Sequence, residues 1–126
     1  MSNPELQISG RLGHMREAIA NIKSDIGDLS ETGFMIDGKT QRAVIEGIMV
    51  IGEAASALLK LAPGIEDKLP NIWQQLRDAS NMRNVLAHEY FRVDPTVVWA
   101  TVNQHIWKLD DDLRLLAANF TANAKD

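Results

Sequence analysis

The stretch Arg83-Asn84-Val85-Leu86-Ala87-His88-Glu89-Tyr90 sets a guanidinium, a carboxamide, an imidazole and a phenol within about two helical turns. No other part of the 126 residues concentrates so much polar chemistry inside an apolar pattern. A guanidinium grips phosphate in a planar fork, and imidazole is the side chain best suited to moving protons near neutral pH. Work on a phosphodiester is the chemistry these residue types support.

Their spacing constrains how they meet. Asn84 and His88 are four apart and share one helical face. Arg83 and His88 are five apart, which separates them by about 140° around a helix axis and about 7.5 Å along it. One straight helix does not easily bring both onto one small group. Either the helix is distorted or ends near His88, or a second copy supplies matching groups across a twofold axis. The second solution predicts a homodimer whose cleft is its own interface. Residues 72, 76, 79, 83, 86 and 90 also step by four and three, so Arg83 and Tyr90 fall on the border of the buried face. An arginine there needs an anion, and Glu53 is the candidate for a structural ion pair.

The elements that must hold these groups read as four helices and no strand. Ile8, Leu12, Met15, Ile19, Ile22, Ile26 and Leu29 form the first apolar stripe. Residues 31–39, with Gly33 and Gly38, read as a loop. The second helix runs from about Lys39 to Ala62 and stops at Pro63-Gly64. It carries two stripes, Val44, Ile48, Ile51, Ala55, Leu58, Ala62 and Gly47, Val50, Ala54, Ala57, Leu61. Such an element belongs in the middle of a bundle, where small residues permit close approach. The third begins after Pro70 and continues through the polar cluster, with Ile72, Leu76, Ala79, Met82 and Leu86 inward. Asp94-Pro95 then reads as N-cap and first turn of the fourth. Its stripe is Val98, Val102, Ile106, Leu109, Leu113, Leu116 and Phe120. An all-α antiparallel bundle of four to five helices, one domain over residues 1–126, is the expected fold.

Composition narrows the function classes. An apolar fraction of 45% with 24% charged residues fits a folded domain. Without cysteine, no disulfide framework or thiolate zinc site is possible. No apolar run approaches membrane-spanning length and no leader pattern opens the chain, so a cytoplasmic location without membrane partners is expected. The formal net charge of −4 weighs against holding nucleic acid by bulk electrostatics; phosphate recognition must be local. His14 and His105 flank apolar stripes and read as partly buried packing residues. Asp110-Asp111-Asp112 reads as a solvated face, and Trp73, Trp99 and Trp107 as packing or interface residues. No metal-ligand spacing or glycine-rich phosphate loop is present, so neither metal nor cofactor is expected.

Arg83-x4-His88-x-Tyr90 resembles the motif of HEPN-domain proteins, specifically the HepT-like toxins paired with a minimal nucleotidyltransferase antitoxin. Gly13 through Ile19 looks like the family's opening helix and Val50-Ile51-Gly52-Glu53-Ala54 like its second-helix signature. Met82-Arg83-Asn84, Val93-Asp94 and Val97-Val98-Trp99 match the later helices in order. The resemblance implies a homodimeric HEPN bundle with metal-independent endoribonuclease activity on RNA. It implies Arg83 and His88 as the catalytic pair, Asn84 as a supporting polar residue, and Tyr90 as the tyrosine that the antitoxin adenylylates. Glu53 is assigned as a partner orienting Arg83. The competing expectation is a non-catalytic accessory subunit that binds nucleotide or substrate for the nucleotidyltransferase. Which RNA is cut, the stoichiometry with the antitoxin, the number of adenylates and the acid or base role of each His88 copy are not encoded legibly.

Overall fold

The computed structural model describes residues 4–89 and 93–125, with side chains described as far as residue 118. Its helices are α1 (Pro4–Ile26), α2 (Glu31–Met35), α3 (Gly38–Leu61), α4 (Ile65–Lys68), α5 (Pro70–Glu89), α6 (Pro95–Thr101) and α7 (Trp107–Lys125). A π-helical turn, Val102–Ile106, joins α6 to α7 without a break. Among the described residues there is no strand. The four expected helices are α1, α3, α5 and the continuous α6–π–α7 element.

The apolar stripes become the core. Ile8, Leu12, Met15, Ile19, Ile22 and Ile26 of α1 are buried, as are Val44, Ile48, Ile51, Ala55 and Leu58 of α3. Val98, Val102, Ile106, Leu109, Leu113 and Leu116 complete it from the last element, whereas the Phe120 side chain lies outside the described residues. Helix α3 packs chiefly on α1 and α5, in the central position its two stripes require. Its glycines make both approaches close. A Cβ at Gly47 would lie 2.6 Å from an Ile22 side-chain carbon of α1, and one at Gly52 2.3 Å from Arg83 Cβ of α5.

The helix ends are set locally. Asp37 caps α3 by accepting from the Thr40 backbone N–H at 3.0 Å, which, with a further Thr40 side-chain bond, holds its carboxyl below the usual value of 3.8. Asp94 caps α6 by accepting from Thr96 N–H at 2.8 Å, with Pro95 following as the sequence predicts.

Three features depart from the sequence expectation. Part of the 31–39 segment is helical, because Ser30 caps a turn by accepting from Gly33 N–H and Phe34 of that turn is buried against Trp99. The connection after Pro63 holds the short α4, anchored by buried Ile65. The π turn was signalled only by spacing: Val98, Val102 and Ile106 are two successive four-residue steps. In a uniform α-helix those steps drift about 80° off the face, and a wider turn absorbs the drift.

A candidate active site on the fifth helix

Helix α5 starts at Pro70 and is held by a stripe of Ile72, Leu76 and Leu86, all buried, with Ala79 and Met82 half-buried. It lies against α3, where the hydroxyls of Ser56 and Ser80 are 2.5 Å apart and Ser56 also donates to the Gly52 carbonyl at 3.0 Å. The contact is tightest one turn further along. A β-carbon at position 52 would sit 2.6 Å from the Ala79 carbonyl oxygen and 3.2 Å from Arg83 Cγ, besides its overlap with Arg83 Cβ. Glycine in mid-helix is unfavourable by about 1 kcal/mol relative to alanine. It is placed where the aliphatic stem of Arg83 crosses α3.

That crossing shapes the arginine. Arg83 is half-buried: its stem covers Gly52, and its guanidinium reaches outward to donate from Nη1 to Asn84 Oδ1 at 3.3 Å. Glu53 was expected to orient it. Instead Glu53 is exposed, and no ion pair joins the two; among the described residues the single ion pair is Arg114–Asp110. The reason is helical phase. Gly52 faces α5, and the next residue is turned about 100° further round, toward solvent.

Asn84 and His88 are both exposed and follow one another on the outer face of α5. The helix is regular α through Glu89, so distortion ahead of His88 does not bridge the 140° to Arg83. Two other things shorten the gap. Side chains on a helix lean toward its N-terminus, which carries the His88 imidazole back over the turn of Asn84. The hydrogen bond to Asn84 carries the Arg83 guanidinium toward the same turn from the other side. Asn84 is thus hydrogen-bonded to Arg83 and lies one turn before His88. Tyr90 lies outside the described residues.

The other polar candidates take no part. His14 and His105 are exposed rather than partly buried as expected, because each lies beside its helix's apolar stripe and not on it. Trp73, Trp99 and Trp107 do pack against the core. Within the acidic run, Asp110 pairs with Arg114 at 3.2 Å and Asp112 accepts from Gln75, so two of the three carboxylates are engaged by other side chains. Among the described residues, no group of three or more histidines or carboxylates gathers as a metal would require. No described helix is long and apolar enough to cross a membrane.

An all-α bundle with a half-buried arginine beside an exposed asparagine and histidine on its fifth helix defines a class, and comparison with known proteins names it. Residues 15–116 match the family model described as Ribonuclease HepT-like. The chain belongs to the HepT-like ribonuclease family, which spans every element from α1 into α7. It is 35% identical over 95 residues to "Probable ribonuclease HepT" of Thermococcus cleftensis, covering 75% of this chain and 82% of that protein. Two more distant relatives carry the name "Putative RNase". One, from Caldanaerobacter subterraneus subsp. tengcongensis, is 27% identical over 82% of this chain and 88% of its own length. The other, from Methanocaldococcus jannaschii, is 29% identical over 88% of this chain and 85% of its own. No solved structure gives a significant match.

Proposed function

We propose that the protein is a metal-independent endoribonuclease, the toxin of a cytoplasmic toxin–antitoxin pair, acting as a homodimer. The observation that carries this reading is the Arg83–Asn84 hydrogen bond beside an exposed His88, on a helix of a family whose relatives are named ribonucleases. In such a reaction the 2′-hydroxyl of RNA attacks its own phosphate. The P–O5′ bond breaks, leaving a 2′,3′-cyclic phosphate and a 5′-hydroxyl end. A base must remove the 2′-proton and an acid must protonate the leaving oxygen. His88 fills both roles, one copy from each subunit. Arg83 donates to the non-bridging oxygens as their negative charge grows, and Asn84 fixes the guanidinium that does so. The absence of a bulk positive field fits an enzyme that holds one phosphate by placed groups.

By the family resemblance, Tyr90 is the site at which a nucleotidyltransferase antitoxin adds adenylate. An adenylyl phosphate added there would compete with RNA for the Arg83 guanidinium.

The test is cleavage of single-stranded RNA by purified protein in EDTA, with end-group analysis. Cyclic-phosphate ends are expected, and Arg83→Ala and His88→Ala should each lower kcat by about 10²–10⁴-fold with unchanged thermal melts. Cleavage surviving in the double variant would overturn the assignment. Intact RNA together with measurable nucleotide binding would instead identify an accessory subunit of the nucleotidyltransferase.

A further inference from the structure

Four side chains on α5 share one outward stripe. Trp73, Arg77, Asn84 and His88 are separated by four, seven and four residues, and on a helix these steps keep them within about 60° of one another. Arg77 and Asn84 are about 10.5 Å apart along the axis. The first pair is pre-arranged: the Arg77 guanidinium carbon lies 5.3 Å from the centre of the Trp73 ring. Trp73 is half-buried and packed against the core, so it forms a fixed base beneath an exposed arginine.

The protein has 17 acidic residues against 13 lysines and arginines, yet no carboxylate pairs with Arg77 among the described residues. Its sequence neighbour Asp78 points elsewhere and accepts from Gln74 Nε2 at 2.9 Å. A guanidinium held over an aromatic ring and left without a counter-ion can offer a planar face to a nucleobase and an N–H edge to a phosphate.

We propose that Trp73 and Arg77 form a binding subsite for single-stranded RNA, holding a nucleotide next to the one cleaved at Asn84 and His88. Arg77 makes the contact, and Trp73 is the positioning residue that keeps the guanidinium over its ring. The subsite governs RNA affinity and leaves the chemical step alone. The ligand expected is an unstacked strand, whose splayed bases can stack on a guanidinium. The proposal rests on the ribonuclease reading for its position in the reaction but not for its existence as a binding surface.

The test separates the two. A 12-nucleotide single-stranded RNA is titrated into His88→Ala protein, which does not turn over, with fluorescence anisotropy as the readout. Adding Arg77→Gln should weaken binding about five- to tenfold, and lower the slope of log affinity against log salt by about 0.7, one single-strand phosphate contact. Arg77→Lys should restore the slope but not the affinity, since lysine lacks the stacking plane. Trp73→Leu should weaken binding less than Arg77→Gln does. In catalytically intact protein, Arg77→Gln should raise KM for the 12-mer by a larger factor than it lowers kcat. Unchanged affinity and slope in Arg77→Gln would overturn the subsite, and so would full rescue by lysine. Weakened binding in a protein that proves unable to cleave RNA would uphold the subsite while removing the nuclease.

Discussion

The hydrogen bond from Arg83 to Asn84 has more consequence than a 3.3 Å contact between neighbours would ordinarily have. An exposed arginine samples many rotamers, and ordering it at the moment of reaction costs side-chain entropy that a standing contact removes in advance. Asn84 also sits one turn before His88 on the same helical face. Asn84→Ala is expected to lower kcat about five- to tenfold, the lower end for a hydrogen bond to a charged group at an exposed site. Initial rates on a short RNA measure it, with the melting temperature as control. An unaltered kcat would mean that the arginine is placed by its stem alone. The sequence pointed to the three polar residues because their types are out of place in an apolar repeat. It misdirected on the partner of Arg83, since charge favours Glu53 and only the phase of α3 shows that Gly52 is the residue facing it.

Helices α3 and α5 hold the site, and their closest contact predicts a contrast between two glycines. A Cβ at Gly47 would come within 3 Å of side-chain atoms only, Cγ1 and Cδ1 of Ile22. At Gly52 it would meet a backbone carbonyl and a β-carbon, neither of which moves unless α5 moves. Gly52→Ala is therefore expected to destabilise by about 1–3 kcal/mol and to lower RNA cleavage per folded molecule as well, because it displaces Arg83. Gly47→Ala should destabilise less and leave the activity per folded molecule intact. Thermal melts and rates corrected for folded fraction separate the two; equal losses of activity would sink the argument. The cap on the same helix gives a pH test. The Thr40 contact lowers the Asp37 pKa in the folded state, so its stabilisation is present above the unfolded value and is lost as pH falls through the folded one. The melting-temperature difference between wild type and Asp37→Ala should accordingly shrink below about pH 4, within the acid range set by a carboxylate. These packing details explain what could be read in advance. Long stripes such as Ile8 to Ile26 announce their helices because many residues agree. The short α2 rests on one cap and one buried Phe34, and the π turn on one extra residue, which is too little signal to separate from a loop or a plain helix.

At the scale of the molecule, the proposed reaction calls for two copies of the chain. His88 is exposed, and Ala87 and Val85 beside it are exposed too, with Val85 at 52%. This is the stretch of α5 that carries the site, and a second copy laid against it would bring two imidazoles and two guanidiniums round one twofold axis. A base on one side of the phosphate and an acid on the other follow from that symmetry without any further residue. The proposal has a quantitative signature. If one phosphate needs an imidazole from each subunit, a dimer with one His88→Ala chain is inactive. Equal amounts of wild-type and His88→Ala chains, unfolded together and refolded to exchange subunits, then contain about a quarter intact dimers. RNA cleavage should fall to about one quarter of that of the same total protein in wild-type form, and should follow the square of the wild-type fraction across a mixing series. Independent sites in each subunit would give a straight line and half the activity at the equal mixture. That outcome would return both proton transfers to a single His88, within reach of the Arg83 on its own helix.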